Sequence, residues 1–312
     1  MPTLPLSETD EQCELITDEN LLPGVLALCD RLGLADAGVE KFTQGSLPVY
    51  AVGDDKVLKL YPVADLGDWT TESAVLRVLD GSLAIETPRP IDVGRFDDWG
   101  YILMSRLRGI DLKQAWPLIP YGDRVRLARR MGEALAQLHA IPAPTELGPP
   151  DWEDFIAVQK HGALERQRRH RLDESLAAGI PAFLDTVDLG RADRVMLHTE
   201  YMHVHILADE VAGSWALTGL FDFEPALHGH PEYDLAAAGI FLGRGDRTVW
   251  REFLDGYGYR DTSGLARRVL AYCLLHRFAN LPWYLREVSA PGVTNLEDLA
   301  EHWFGVDDDS AG

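Results

Sequence analysis

Two short segments of the sequence place histidine and acidic residues directly after predicted strands. In the first, His198–Glu200 follows the apolar strand Val195–Leu197, and His205 stands five positions further on. In the second, an apolar strand leads into Asp222 and Glu224. A carboxylate can take a proton from a hydroxyl group, and carboxylate oxygens are preferred ligands of Mg²⁺. Phosphoryl transfer requires a protein to hold a triphosphate, to neutralise it with a metal and a cation, and to position an acceptor hydroxyl, and the two segments are candidates for part of this chemistry.

Phosphoryl transfer also needs a cation against the phosphates, and Lys59 is a candidate. It alternates with apolar residues in the predicted strand Val57–Leu60, so its side chain leaves the packed face. Glu72 lies thirteen positions later in the next predicted helix, where its carboxylate could fix the lysine. An exposed surface lysine is the alternative, and for a single pair it is the more common arrangement.

A glycine-containing turn upstream of this lysine is a candidate phosphate-binding loop. Gly45 and Ser46 lie between two predicted strands. Glycine allows the backbone to approach a phosphate closely, so that its N–H groups can donate to it. A plain hairpin turn is the alternative for this segment.

The histidines of the first segment have alternative interpretations. His203 and His205 form an H-x-H pair, which is typical of transition-metal sites. No third ligand stands at a matching spacing, so hydrogen-bonded loop histidines are the preferred interpretation. We likewise expect His198 to be a structural hydrogen-bonding residue and not a base.

These segments, in this order, resemble the aminoglycoside phosphotransferase and choline kinase superfamily, which has a protein-kinase-like fold. The family's catalytic loop reads H-G-D-x-x-x-x-N and is followed by I-D-[WF]-[ED] and G-D-P-x-Y-D-L-A segments. This sequence has HTEYMHVH, FDFEPA and GHPEYDLA at the matching places, and its ILMSRL segment resembles the family's hinge. The resemblance extends over roughly residues 42–304, and the C-terminal helices are most similar to the hygromycin-phosphorylating branch.

The resemblance implies that ATP, or GTP, binds between two lobes. Lys59 would contact the phosphates, act in catalysis and be braced by Glu72. The remaining nucleotide-binding positions would be the glycine turn, with Gly45 and Ser46, and the hinge backbone, with Met104, Ser105 and Leu107.

The resemblance also implies roles for the acidic segments. Glu200 would take or orient the proton of the acceptor hydroxyl. Asp222 would bind Mg²⁺, with His205 and Glu224 completing the metal site. Asp234 would support the catalytic loop from behind.

Two positions depart from the family pattern. Glu200 stands where the family has aspartate, and its extra methylene moves the carboxylate by about an ångström, a misplacement that can cost on the order of 100-fold in rate. His205 stands where the family has asparagine, and imidazole suits Zn²⁺ or Mn²⁺ better than Mg²⁺. A non-catalytic nucleotide-binding regulator is therefore an alternative to an active enzyme.

The amino-acid composition limits the classes of partner that we expect the protein to bind. The net charge of −21 argues against nucleic-acid binding and fits a small cationic substrate. We therefore predict an ATP-dependent O-phosphotransferase acting on an aminoglycoside or related antibiotic, with a kinase for another small hydroxylated metabolite as an alternative.

No apolar run is long enough for a membrane span, and no secretory signal is evident. The scattered Cys13, Cys29 and Cys273 suit the cytoplasm, and the sequence leaves the oligomeric state open.

The elements that must position these residues predict an α+β protein with two lobes. Residues 1–107 contain a helix from Asn20 to Leu32, short strands separated by turns, and a helix from Trp69 to Leu79. They should form a small antiparallel sheet lobe that binds nucleotide. Residues 108–312 should form a larger helical lobe with the catalytic loop and the substrate site. Its clearest predicted helices are Tyr121–His139, Leu265–Leu281 and Leu296–Phe304.

Overall fold

The structure is a computed structural model that describes residues 3–9, 11, 12 and 15–306. Its N-terminal part is built on a five-stranded antiparallel sheet with strand order β1–β2–β3–β5–β4. The strands are β1 Val39–Lys41, β2 Val49–Val52, β3 Lys56–Tyr61, β4 Pro90–Phe96 and β5 Trp99–Ser105. Gly53 turns the chain between β2 and β3 with a positive φ of 63°, a conformation that favours glycine.

The alternation of side chains along β3 decides which way Lys59 points. Leu58 and Leu60 face helix α1, Asp18–Arg31, in a first hydrophobic cluster. Lys59 and Tyr61 point to the opposite face, because successive side chains of a strand alternate. That face is covered by helix α2, Leu66–Leu79, which carries Glu72.

The rest of the described chain is mainly helical, with short strands around the catalytic segments. A second antiparallel sheet has the order β6–β8–β9, and β7 pairs with β10. These strands are β6 Ile110–Asp111, β7 Val195–Leu197, β8 Ile206–Val211, β9 Ser214–Leu220 and β10 Leu227–Gly229. The helices are α3 Leu112–Ala115, α4 Tyr121–Ala140, α5 Trp152–Arg169, α6 Glu174–Ala177, α7 Ile180–Thr186, α8 Glu232–Ala238, α9 Arg247–Tyr257, α10 Leu265–Leu275, α11 Leu281–Glu287 and α12 Leu296–Phe304.

Helices α4 and α9 approach each other almost backbone to backbone. A Cβ atom at Gly132 of α4 would lie 2.0 Å from the Phe253 carbonyl oxygen, and one at Gly256 of α9 would lie 2.1 Å from that of Arg129. Both distances are far inside van der Waals contact. Glycine at these two positions therefore sets the separation of the helices.

The structure confirms the α+β class with a small antiparallel sheet and a helical part. One predicted helix is wrong at its end: the helix expected over Leu265–Leu281 stops at Leu275. The buried ring of His276, where the chain leaves the helix, instead hydrogen-bonds to the catalytic loop. The boundary near Leu107 stays a prediction, because one hydrophobic cluster contains residues from both sides of it, including Ile102 and Leu127.

Two further sequence expectations can be compared with the described residues. None of their helices combines the length and the apolar character that a membrane crossing needs. Cys29 and Cys273 are buried free thiols, whereas Cys13 lies outside the described residues.

Candidate active site

Lys59 is enclosed by three carboxylates. Its Nζ lies 2.8 Å from Glu72 Oε2, 2.6 Å from Asp222 Oδ1 and 2.6 Å from Glu224 Oε2. The residue is only 6% exposed, which excludes the alternative of a surface lysine. The pairing of Lys59 with Glu72 that the sequence predicts is therefore present, and it extends to the second acidic segment.

Three carboxylates surround the single ammonium group of Lys59, so this part of the site favours binding of a further cation. Burial by itself would lower the pKa of Lys59, but Asp222 and Glu72 outweigh it and hold that pKa well above its usual value. Burial would raise the pKa of Asp222, yet Lys59 and His205 hold it below its ordinary range. Burial raises the pKa of Glu224 to about 7, because Lys59 offsets only part of the effect and Asp222 adds repulsion.

Glu72 also ties the sheet to the segment that carries Asp222. Its Oε1 accepts a hydrogen bond of 3.2 Å from the Phe223 backbone N–H, and its Oε2 accepts one from the Tyr61 hydroxyl. The carboxylate is 1% exposed, so these bonds replace its hydration. Together with the direct contacts of Lys59 to Asp222 and Glu224, this side chain fixes the distance between β3 and the Asp222 segment.

The catalytic loop, residues 198–205, is held from behind by Asp234 of α8. Its carboxylate accepts hydrogen bonds from the backbone N–H groups of His198, at 2.8 Å, and Thr199, at 2.6 Å. It also lies 2.9 Å from His139 Nε2, and the other ring nitrogen of His139 lies 2.9 Å from the Tyr257 hydroxyl. Asp234 therefore has the supporting position that the sequence predicts, and α4 and α9 extend the support.

Thr199 adopts a backbone conformation that a β-branched residue rarely takes, with φ at 68°. Its hydroxyl donates to the Pro225 carbonyl oxygen at 3.0 Å, and its own carbonyl accepts from His276 Nε2 at 3.0 Å. Such strain persists only where the surroundings over-determine it. These bonds, with the N–H bond to Asp234, hold the turn that presents the next residue, Glu200.

Glu200 and His205 stand beside Asp222 at the front of this loop. One ligand atom from each of the three side chains lies within 4.8 Å of the others. Burial raises the pKa of Glu200, with Asp222 adding to the rise and His205 opposing it. A carboxylate with a raised pKa is a stronger base, which suits proton abstraction near neutral pH.

The other two histidines of the loop have different roles. His198 is buried, its Nε2 lies 3.1 Å from the Phe221 carbonyl oxygen, and burial lowers its pKa to about 4, as expected of a structural residue. His203 does not meet the expectation of a hydrogen-bonded histidine. Among the described residues neither of its ring nitrogens has a hydrogen-bond partner, and the ring packs on Phe241.

The predicted nucleotide-binding positions lie along the sheet. Gly45, with φ at 105°, and Ser46 form the exposed turn between β1 and β2, and β2 begins with Val49 opposite Lys59. The turn is thus at the end of the sheet where the lysine sits. Among the described residues the Ser46 hydroxyl makes no hydrogen bond.

Some backbone groups of the hinge segment already form hydrogen bonds within the protein. Met104 pairs with β3 and β4, the Ser105 N–H donates to the Arg89 carbonyl oxygen at 2.9 Å, and the Arg106 N–H donates to that of Asp55 at 2.8 Å. Within the described chain, the Leu107 N–H has no such partner. Of the predicted hinge donors, Leu107 is therefore the one still available to a ligand.

Sequence reasoning missed the residues that brace the loop from the C-terminal side. Arg277 donates to the Pro225 carbonyl oxygen, and its charge lowers the pKa of Glu200. His276 and Arg277 were assigned to a helix interior, because the apolar pattern of α10 hides its end. Threonine at position 199, where the resembling family has glycine, was the signal that additional bonds must hold this turn.

Comparisons with known proteins bear on the fold and on the family. The model of the APH phosphotransferase enzyme family matches residues 38–285, which is most of the chain. The structure is similar to the GDP complex of wild-type aminoglycoside 2'-phosphotransferase-IIIa, with a TM-score of 0.70, 20% identity, and coverage of 90% of this chain and 98% of that one.

Two further solved structures share the fold. The streptomycin–ATP–APH(2")-IIa ternary complex has a TM-score of 0.57 and 14% identity, covering 90% of this chain and 98% of that one. Macrolide 2'-phosphotransferase MphH from Brachybacterium faecium has a TM-score of 0.58 and 20% identity, covering 86% and 99%. These identities show the fold alone, and the family model supplies the assignment: this chain belongs to the APH phosphotransferase enzyme family.

Proposed function

We propose that this protein transfers the γ-phosphoryl group of ATP or GTP to a hydroxyl group of a small cationic molecule, an aminoglycoside or a related antibiotic. The observation that carries the proposal is the convergence of Lys59, Asp222 and Glu200. They come from three separate segments, and Asp222 lies 2.6 Å from the Lys59 ammonium group and beside the Glu200 carboxylate.

Each of the three has a separate task in phosphoryl transfer. Lys59 binds phosphate oxygens and neutralises their charge. Asp222, with His205 and Glu224 as the further predicted ligands, would hold a divalent ion, which would offset the negative charge that develops on the phosphates. Glu200 accepts the proton of the acceptor hydroxyl as the oxygen attacks phosphorus.

The nucleotide is held by backbone groups. The Leu107 N–H donates to the base, and the turn with Gly45 and Ser46 lies over the phosphates, since it stands at the Lys59 end of the sheet. The similar structures whose names include GDP and ATP support nucleotide binding by this chain.

A cationic acceptor fits the charge of the molecule. The net charge of −21 attracts amines to the protein, and the carboxylates around Lys59 outnumber the lysine. Similar structures named for aminoglycosides, streptomycin and macrolides support this class of acceptor. We propose a cytoplasmic location because cytoplasmic nucleoside triphosphates would supply the donor.

The test is a screen for acceptor-dependent ADP or GDP formation against aminoglycosides, macrolides and hydroxylated metabolites, with Mg²⁺ and Mn²⁺ compared. We expect at least one amine-bearing antibiotic to be phosphorylated, as detected by mass spectrometry, and Lys59→Ala to abolish the reaction. Phosphorylation of an uncharged metabolite alone would replace the proposed substrate class with the alternative metabolite kinase.

Nucleotide binding, measured by calorimetry, separates the remaining alternative. Nucleotide binding without transfer to any acceptor would support the non-catalytic regulator. Absence of binding of either nucleotide with either metal would exclude both enzyme and regulator.

A further inference from the structure

The imidazole ring of His205 lies between two oxygen acceptors. Its Nδ1 is 3.0 Å from the backbone carbonyl oxygen of Glu200, and its Nε2 is 3.2 Å from Asp222 Oδ2. A carbonyl oxygen only accepts, so Nδ1 carries a hydrogen and donates it. In the neutral ring this leaves the lone pair of Nε2 directed at a carboxylate oxygen.

Two acceptors at 3.2 Å do not bind each other, so a proton or a metal cation must lie between them. A histidine that binds a metal nearly always donates its other ring hydrogen to a carbonyl or carboxylate oxygen, which fixes the tautomer. The bond from Nδ1 of His205 to the Glu200 carbonyl has this form. His205 is thus oriented as an Nε2 ligand by the backbone of its own loop.

The distance between His205 and Asp222 also fits a shared ion. Two ligand atoms at right angles on a metal, with bonds of about 2.1 Å, are about 3.0 Å apart. The observed separation of 3.2 Å is close to this value. Asp222 can serve an ion with Oδ2 because its Oδ1 is bound to Lys59.

Glu200 supplies a third ligand through one of its carboxylate oxygens, which leaves the other oxygen for the proton of the acceptor hydroxyl. Its carboxylate belongs to the group of three ligand atoms that lie within 4.8 Å of one another. The Glu200, His205 and Asp222 side chains are 23%, 12% and 23% exposed, so an ion can reach them while most of their surface is enclosed. We name this group the 200–205–222 triad.

A second group of acidic residues is a poorer cation site. Glu72, Asp222 and Glu224 also have ligand atoms within 4.8 Å of one another. The ammonium group of Lys59 lies within 2.8 Å of all three carboxylates. A metal at that place would have to displace the lysine, whereas in the described residues Glu200 and Oδ2 of Asp222 form ion pairs only with His205.

The donor atoms of the triad decide which ion it prefers. Mg²⁺ prefers oxygen ligands, whereas imidazole nitrogen suits first-row transition ions such as Fe²⁺ and Zn²⁺, and Mn²⁺ binds mixed sets of carboxylate and imidazole ligands. We propose that Glu200, His205 and Asp222 bind a divalent first-row transition ion such as Mn²⁺ in preference to Mg²⁺. The inference deepens the proposed function and rests on it, because this ion would stand where the family's asparagine serves the nucleotide-bound metal.

The test titrates the full chain with Mn²⁺ alone and follows the electron paramagnetic resonance signal of the free ion. We expect Mn²⁺ to bind and an equal concentration of Mg²⁺ to leave most of it in place. His205→Asn replaces the nitrogen ligand with an oxygen ligand, so Mn²⁺ affinity should fall by at least about 10-fold and the preference over Mg²⁺ should shrink. His203→Asn is the matched control from the same loop and should leave both quantities unchanged.

A spectroscopic measurement separates ligation from an indirect effect of folding. Electron spin-echo modulation of bound Mn²⁺ should show an imidazole nitrogen in the wild type and in His203→Asn, and none in His205→Asn. Thermal melts identify any variant that is not folded, and the wild-type spectrum does not depend on the variants. Absence of Mn²⁺ binding at millimolar concentration, a spectrum without nitrogen coupling, or equal competition by Mg²⁺ would overturn the proposal. Because no nucleotide or acceptor is present, these outcomes are independent of whether an acceptor is found.

Discussion

Glu224 lies 2.6 Å from the ammonium group of Lys59, and yet its pKa is raised to about 7. A single lysine normally lowers the pKa of a carboxyl group beside it. Here the lysine is shared with Glu72 and Asp222, and burial outweighs its remaining effect. The Glu224 carboxyl is therefore partly protonated near neutral pH, and a second cation would displace that proton.

Binding of a nucleotide–metal complex should release this proton. A divalent cation near Glu224 favours its charged form, so release should be larger at pH 6, below the raised pKa, than at pH 8, above it. Calorimetry in two buffers of different ionisation enthalpy measures the number of protons. Glu224→Gln should reduce the difference between the two pH values, and an unchanged difference would assign the proton to another group.

Glu200→Gln should lower turnover by roughly 100-fold or more, because it keeps the shape of the side chain and removes the base. Nucleotide affinity measured without a divalent ion should change little, since in the described residues the Glu200 side chain makes no hydrogen bond or ion pair with Lys59 or the hinge. Steady-state kinetics and nucleotide calorimetry measure the two effects. Glu210→Gln, at an exposed position on β8, is the control. Equal turnover of Glu200→Gln and wild type would place the base elsewhere.

Asp222→Asn should weaken nucleotide–metal binding as well as turnover. Oδ1 of Asp222 positions Lys59 and Oδ2 faces His205, so the loss of its charge affects both the cation and the metal ligands. Calorimetry with nucleotide and metal, compared with nucleotide alone, isolates the metal-dependent part. If Asp222→Asn lost turnover but kept full metal-dependent affinity, its role would be limited to the chemical step.

Stability should fall as pH decreases from 6.5 to about 4. Burial lowers the pKa of His276 and of His198 to about 4, so in this window the unfolded chain binds protons that the folded protein does not. Each group costs up to about 1.4 kcal/mol of unfolding free energy per pH unit. Urea denaturation at several pH values measures the slope.

His276→Gln is the matched variant for this prediction. Its amide can still donate to the Thr199 carbonyl oxygen that His276 Nε2 contacts, and it does not titrate. The slope of unfolding free energy against pH should therefore decrease by the amount that corresponds to about one bound proton. A slope identical to that of the wild type would show that His276 takes up its proton without unfolding.

The sequence predicted the parts of the fold that local patterns determine. Alternating side chains and glycine turns marked β1 to β3, and helix α12 was predicted with the bounds Leu296–Phe304 that the structure shows. The end of α10 could not be predicted, because Leu281 continues the apolar pattern while the buried His276 is drawn to the catalytic loop. That bond joins residues 77 positions apart in the chain, which no local pattern contains.

The same distinction applies to the site. Strand alternation and the next helix left the pairing of Lys59 with Glu72 as one of two interpretations, and the family resemblance favoured it. The structure places the two side chains 2.8 Å apart. The additional carboxylate of Glu224 on the lysine depends on how two distant segments pack. The sequence spacing shows no third ligand for the H-x-H pair. In the structure Glu200 and Asp222 lie beside His205, whereas the ring of His203 packs on Phe241.

Because α4 and α9 approach each other closely, Gly132 and Gly256 affect the position of the catalytic loop, although neither glycine lies in it. His139 of α4 and Tyr257 of α9 hydrogen-bond to each other and, through Asp234, to the loop that presents Glu200. A single methyl group at Gly132 or Gly256 would wedge the helices apart and pull on that chain of bonds. A substitution at Gly132 or Gly256 could therefore inactivate the site even if every acidic residue of the site were unchanged.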